Sequence, residues 1–327
     1  MKSRDLPLGA VVLVVLCLLP LAIRQPFDQN ILILAVMYTA LAQAWNLLGG
    51  YCGQVSLGQA LFFGIGAYAS TILFTRYGVS PLLGMLVGGA LAALVALAIG
   101  WPCFRLRGHY FVIATIVVAE TGYLLFLNWD WAGAATGILI PIAKDSFVNF
   151  QFQTSKLPYY YGILVIAAVL WLFCYWIERS KWGFYWRAVK SSPEAAESLG
   201  VRIFRYKMAA AAASAFFTGI CGSFYAQYVS YIDPDSVMAL SVSILISLPA
   251  VLGGIGTLWG PAVGAAVLIP MSELVRAYLG GTGQGTDLII YGVLIMGVAA
   301  LEPEGLCGLF AKLRRRLFRA RAVARRA

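Results

Sequence analysis

Ten apolar runs separated by short polar stretches take up most of this chain, at residues 6–23, 31–48, 58–76, 82–102, 110–127, 158–177, 207–229, 238–252, 261–279 and 286–301. A helix needs about 20 largely apolar residues to cross a hydrocarbon core, so each run is predicted as a transmembrane helix. The eighth is short and carries Pro249 near its end. A broken or re-entrant helix is expected there, because proline removes a ladder hydrogen bond. The first run follows Lys2 and Arg4 but leads into Arg24, Gln25 and Pro26 without a small-residue cleavage pattern, so it reads as a retained helix.

Composition agrees with the pattern. Hydrophobic residues make up 61% of the 327 residues and charged residues 12%, against roughly 25% charged in soluble domains. Too little polar surface remains to cover a water-soluble globule of this size. The predicted fold class is an all-α integral membrane protein of about ten transmembrane helices with Gly-rich broken or re-entrant segments. Residues 1–30 hold an N-terminal segment and first helix, residues 31–310 the main membrane domain, and residues 311–327 a basic tail.

Charge orients this map. With an inside start, 19 of the 24 Lys and Arg residues fall on inside segments, the bias expected of cytoplasmic loops. Both termini are then cytoplasmic. The net charge of +10 needs no nucleic-acid partner, and the tail reads as a topology anchor touching anionic membrane lipid. Residues 128–157, with Trp129 and Trp131, form an outer loop. Residues 178–206, rich in charge, form an inner one.

Little chemistry is available for catalysis. Cys17, Cys52, Cys103, Cys174, Cys221 and Cys307 lack metal-ligand spacing, and His109 is the only histidine, so a multi-histidine metal site is excluded and the cysteines read as small apolar side chains. There is no P-loop GxxxxGK[ST], so any ATP must be bound and hydrolysed by another chain. No nucleophile–base set is evident, and no cofactor is expected.

The inner loop carries a local signal. Ser192 is placed to cap a helix beginning at Pro193, where the missing N–H costs nothing. Glu194 and Glu197 favour the positive first turn. Ala195, Ala196 and Leu199 give a small apolar face, and Gly200 ends the helix. Such a helix suits either a simple connector or insertion into a groove of a partner. Glu194-Ala195-Ala196-x-x-x-Gly200 resembles the EAA loop of ATP-binding cassette importer permeases, the element that docks on the ATPase. The stretch from Asn46 through Gly49-Gly50-Tyr51-Cys52-Gly53-Gln54-Val55-Ser56-Leu57-Gly58-Gln59 to Tyr68 resembles the branched-chain amino acid permease family in its LivM branch. So do Gly108 to Thr115 with Glu120, Gly253 to Pro261 with Gly264 and Ala265, and Pro303 to Leu309. Phe184 stands where the family usually places Arg after Trp-Gly, and Gly133-Ala134-Ala135-Thr136-Gly137 replaces a Thr-Gly-Gly-type turn.

The resemblance implies a permease subunit in the bacterial inner membrane. Its partners are two ATPase subunits, a second permease and a periplasmic substrate-binding protein. Glu194, Ala195, Ala196, Leu199 and Gly200 would couple it to the ATPase. The implied cargo is leucine, isoleucine and valine; urea or a short amide is the alternative within the same signature. An ion-coupled secondary transporter or channel is the competing class, and the EAA loop argues against it.

Gly49, Gly50, Gly53 and Gly58 make a straight helix costly, at about 1 kcal/mol each relative to Ala. Irregular backbone at membrane depth is tolerated only where protein or a water-filled cavity satisfies it. Gly50, Gly53, Gln54, Ser56, Gln59 and Thr115 are therefore candidates to line a translocation pathway; close packing through small residues is the other reading. Glu120, near the middle of the fifth run, is expected to face the interior, as a pathway group or as a hydrogen-bonding partner of a neighbouring helix. Glu273 and Arg276 have the spacing of a same-face pair, and His109 reads as an interfacial group.

Overall fold

The computed structural model describes residues 5–23, 25–106, 108–141, 150–152, 155–279, 292–293, 296 and 305–308. The tenth apolar run, apart from three residues, and the basic tail lie outside them.

Each of the first nine apolar runs falls on a helix. They are α1 (Asp5–Ala22), α2 (Pro26–Asn46), α3 (Gln59–Tyr77), α4 (Pro81–Cys103), α5 (His109–Leu127), α6 (Leu157–Arg179), α9 (Ile203–Val229), α11 (Leu240–Gly253) and α12 (Gly260–Leu279). Residues 178–206 supply α7 (Lys181–Ser191) and α8 (Pro193–Ser198), and α10 (Pro234–Met238) precedes α11. Six helical stretches among the described residues are long and apolar enough to cross a membrane: 26–51, 81–103, 109–127, 157–179, 203–229 and 234–253. The chain is thus a multi-pass helical membrane protein. The only strands among the described residues are two-residue pieces, β1 (Ile138–Leu139) and β2 (Tyr231–Ile232), paired antiparallel.

Two of the expected breaks are real. α2 runs into a π turn at Leu47–Tyr51, and residues 52–58 are irregular before α3 begins. The eighth segment breaks at Ala239, whose extended backbone (φ −59°, ψ 149°) separates α10 from α11. Pro249 is instead accommodated within α11.

α3, α4 and α9 pack most closely with one another. Their contact rests on missing side chains: a Cβ on Gly66 would overlap the carbonyl oxygen of Gly219, and one on Gly222 would overlap that of Phe63. Close backbone approach of this kind is the usual means of helix association in lipid. α2, α11 and α12 form a second group around Leu252, Ala265, Leu268 and Ile269.

α1 lies at the side. Pro20 has no N–H to give to the carbonyl of Leu16 four residues earlier. The Tyr160 hydroxyl on α6 takes its place, donating to that oxygen at 2.7 Å, and Tyr161 donates to the Cys17 carbonyl at 3.2 Å. The proline thereby creates the attachment point by which α1 is held.

Candidate functional site

One end of the bundle carries α7 and α8. Ser192 caps α8 by accepting from the Ala195 N–H at 3.3 Å. At the other end Gly200 adopts φ +83°; its N–H donates to the Glu197 carbonyl at 2.8 Å, and that of Val201 to the Ala196 carbonyl at 3.0 Å. This paired pattern closes a helix around a left-handed glycine. Only Ala196 of the helix is buried. Glu194, Ala195, Glu197 and Gly200 are exposed, and Leu199 is 85% exposed. A rigid, small-faced helix with a bare leucine at its tip projects from the protein.

α7 ties this helix to the bundle. Trp186 and Val189 are buried, and the Trp186 indole donates to the Tyr206 carbonyl on α9 at 3.0 Å. At the end of α7, Lys190 Nζ donates to the Gly50 carbonyl at 2.8 Å. Gly50 lies in the π turn, and Gly53, at φ +74°, leaves room for the Lys190 stem to cross it. Asn46 completes the junction. Its side-chain oxygen accepts from the Gly256 N–H at 2.8 Å, and its side-chain nitrogen donates to the Thr257 carbonyl at 3.0 Å. Three segments distant in sequence, the π turn, α7 and the turn before α12, are thus pinned to one another.

Protein groups satisfy the irregular stretch after the π turn. The Trp45 indole donates to the Ser56 carbonyl at 2.7 Å, the Leu57 N–H donates to the Thr115 hydroxyl at 3.2 Å, and the Ala60 N–H donates to the Ser243 hydroxyl at 2.8 Å. Ser56 accepts from the Gly58 N–H at 3.2 Å. Gln59 is fully buried; it donates to Ser214 at 3.0 Å and accepts from Thr218 at 3.2 Å, both on α9. Gln54 is half-buried, its amide turned onto the Gly53 carbonyl at 3.3 Å. Gly50, Ser56, Gln59 and Thr115 therefore bind parts of this chain to one another. Trp45, Asn46 and Lys190, not singled out from the sequence, hold the same junction. Asn46 offered a signal, a polar residue ending an apolar run.

The expected orientation of Glu120 is corrected: its side chain is exposed. α5 buries a single stripe, Phe111, Thr115 and Ala119, spaced four residues apart. Glu120 follows Ala119 and so turns about 100° off the stripe. Ile113 and Val117 are each 57% exposed, which leaves α5 with a broad uncovered face bearing one carboxylate. Glu273 and Arg276 pair at 3.4 Å as their spacing predicted. No group of potential metal ligands occurs among the described residues.

Residues 29–299 match the family model for the permease component of a branched-chain amino acid transport system. The chain is 28% identical over 321 residues to the high-affinity branched-chain amino acid transport system permease protein LivM of Escherichia coli, covering 90% of this chain and 74% of that protein. Its likeness to LivM of Salmonella typhimurium is 26% over 322 residues with the same coverage. The fructose import permease protein FrcC of Rhizobium meliloti is 24% identical over 68% of this chain and 63% of its own length. No solved structure matches the chain.

Proposed function

The chain belongs to the branched-chain amino acid transport system permease family, LivM branch, and from that premise we propose that it moves leucine, isoleucine and valine inward across the bacterial inner membrane by ATP-driven alternating access. It is a transport subunit, not an enzyme. Two ATPase subunits, a second permease and a periplasmic binding protein complete the importer. The similar LivM proteins are named for branched-chain amino acid transport, at 28% and 26% identity, which supports this cargo over the fructose of FrcC at 24%. In this proposal the chain crosses the membrane ten times and both termini are cytoplasmic.

The observation that carries the proposal is the link from α8 to the π turn. α8 enters a groove of the ATPase, with Leu199 covered on docking. When the ATPases close on ATP, α8 pulls on α7, and Trp186 and Val189 carry the movement into the bundle. Lys190 passes the displacement to the Gly50 carbonyl and so to the Asn46 junction. That junction joins the end of α2 to the start of α12, and the irregular stretch beyond it leads into α3. Relative movement of these helices opens the path to one side and then the other.

The path runs along the uncovered face of α5, shared with the second permease. Turning Glu120 to lipid costs about 2.5–3.5 kcal/mol, which favours a partner or a water-filled cavity over it. There the carboxylate attracts the ammonium of a zwitterionic substrate.

Proteoliposomes holding the co-purified importer test this reading. With the binding protein present, leucine accumulates only with ATP on the ATPase side. Accumulation driven by an ion gradient without ATP overturns it in favour of a secondary transporter.

A further inference from the structure

α1 is fixed to the rest of the protein at two levels and stands off between them. At the outer level Tyr160 and Tyr161 hold the carbonyls of Leu16 and Cys17. Near the other end of α1, Gly9 lies so close to the Trp171 indole that a Cβ there would overlap the ring. Between and beside these contacts lies a cavity of about 530 Å³, walled by α1, α2, α6 and α12.

The wall is made of Leu13, Ala35, Ala168, Ala266 and similar apolar residues; among the described residues none of the lining side chains is charged. Among these residues Thr39 supplies the one hydroxyl, already donated to the Ala35 carbonyl at 2.8 Å, and the only other side-chain polar groups are the indole N–H groups of Trp171 and Trp259, both buried within the wall. Water needs two to four polar partners to occupy a cavity, and this wall does not offer them. A zwitterionic substrate is excluded for the same reason. The lining runs from Leu6 to Leu16 along α1, or about 15 Å of axis. That is half the roughly 30 Å hydrocarbon core, so a second spanning helix is too long for it and the occupant comes from one leaflet. The helix that closes the cavity precedes the family-matched region, which begins at residue 29.

We infer that this cavity is a binding site for one acyl chain of a membrane phospholipid, which fills the space between α1 and the family domain. The small residues Gly9, Ala35, Ala168 and Ala266 make the volume, and the tyrosine attachment at Leu16 and Cys17 holds its outer end. The lipid completes the packing of α1 against the bundle.

The test uses the intact importer. Native mass spectrometry of the complex in mild detergent is expected to retain one phospholipid per copy of this subunit, and the double variant Ala35→Phe/Ala266→Phe to lose it. Equal lipid retention by both overturns the site. A second measurement stands even if the double variant does not assemble. In nanodiscs titrated with phosphatidylglycerol dibrominated on its acyl chains, the fluorescence that Trp171→Phe removes should be quenched at a low brominated fraction and then saturate. Quenching in simple proportion to the brominated fraction means contact with bulk lipid alone and contradicts the inference.

Discussion

The Nζ of Lys190 and the carbonyl oxygen of Gly50 lie 2.8 Å apart, joining the end of α7 to the π turn of α2 across 140 residues of sequence. The lysine belongs to the segment that leads to the exposed α8. The glycine belongs to the turn that Asn46 fastens to Gly256 and Thr257. Movement of one must displace or break its bond to the other. Lys190 as a whole is exposed, so the bond is worth about 1 kcal/mol, roughly fivefold in an equilibrium. Lys190→Met is expected to lower ATP-driven leucine uptake about fivefold or more while ATP hydrolysis by the complex continues. Parallel uptake and hydrolysis assays check this; an unchanged ratio of transport to hydrolysis would remove Lys190 from the coupling route.

Docking by α8 is tested by Glu194→Lys, Leu199→Asp and Gly200→Pro. The proline is incompatible with φ +83° and removes the N–H given to Glu197. Loss of a central contact costs about 2 kcal/mol or more, near thirtyfold in affinity. The variants should insert normally, fail to co-purify the ATPase and lose uptake. Normal uptake by all three would end the docking role.

Gly50→Ala places a methyl group against the Asn46 side chain and the Gly256 N–H. Asn46 must then give up its two bonds to the turn before α12. Leaving a buried polar group unpaired costs about 1–3 kcal/mol. Thermal unfolding of the purified complex should shift down by several degrees, with Asn46→Ala giving a similar loss. A Gly50→Ala protein as stable as the parent would mean that the junction relaxes without strain.

Glu120 separates pathway from packing. Because it is exposed in the single chain, Glu120→Gln should leave membrane abundance and thermal stability unchanged. As a charged hydrogen-bonding partner of the substrate it is worth about 1.5–3 kcal/mol, so uptake should fall about tenfold or more. Parental uptake by this variant would place the pathway elsewhere.

Much of this arrangement was legible in the residues. Nine apolar runs became helices because lipid leaves the backbone no better way to satisfy itself. Ser192, Pro193 and Gly200 act at the ends of α8 through local rules that need no tertiary context. α7 was harder: its Lys and Arg residues give it the look of a loop, and only the three-residue spacing of Trp186 and Val189 marks the buried side. Lys190 was not legible, since a lysine in a basic loop gives no sign that its ammonium returns to a distant carbonyl. The polarity of Gln59, Ser56 and Thr115 fits a path as well as close packing; their bonds, from Gln59 to Ser214 and Thr218, from the Gly58 N–H to Ser56 and from the Leu57 N–H to Thr115, come from groups distant or irregular in the chain that sequence does not bring together. For Glu120 the cost of lipid exposure is clear from sequence, but nothing in the sequence shows that α5 keeps an uncovered face and that the carboxylate falls on it.

Uptake of labelled leucine by cells lacking only this gene tests the central claim most directly, with excess isoleucine, valine or urea as competitor in the parent strain. The account predicts loss of a high-affinity leucine component that isoleucine and valine compete away in the parent and urea does not. Unchanged leucine uptake in the deletion strain, or competition by urea alone, would contradict it.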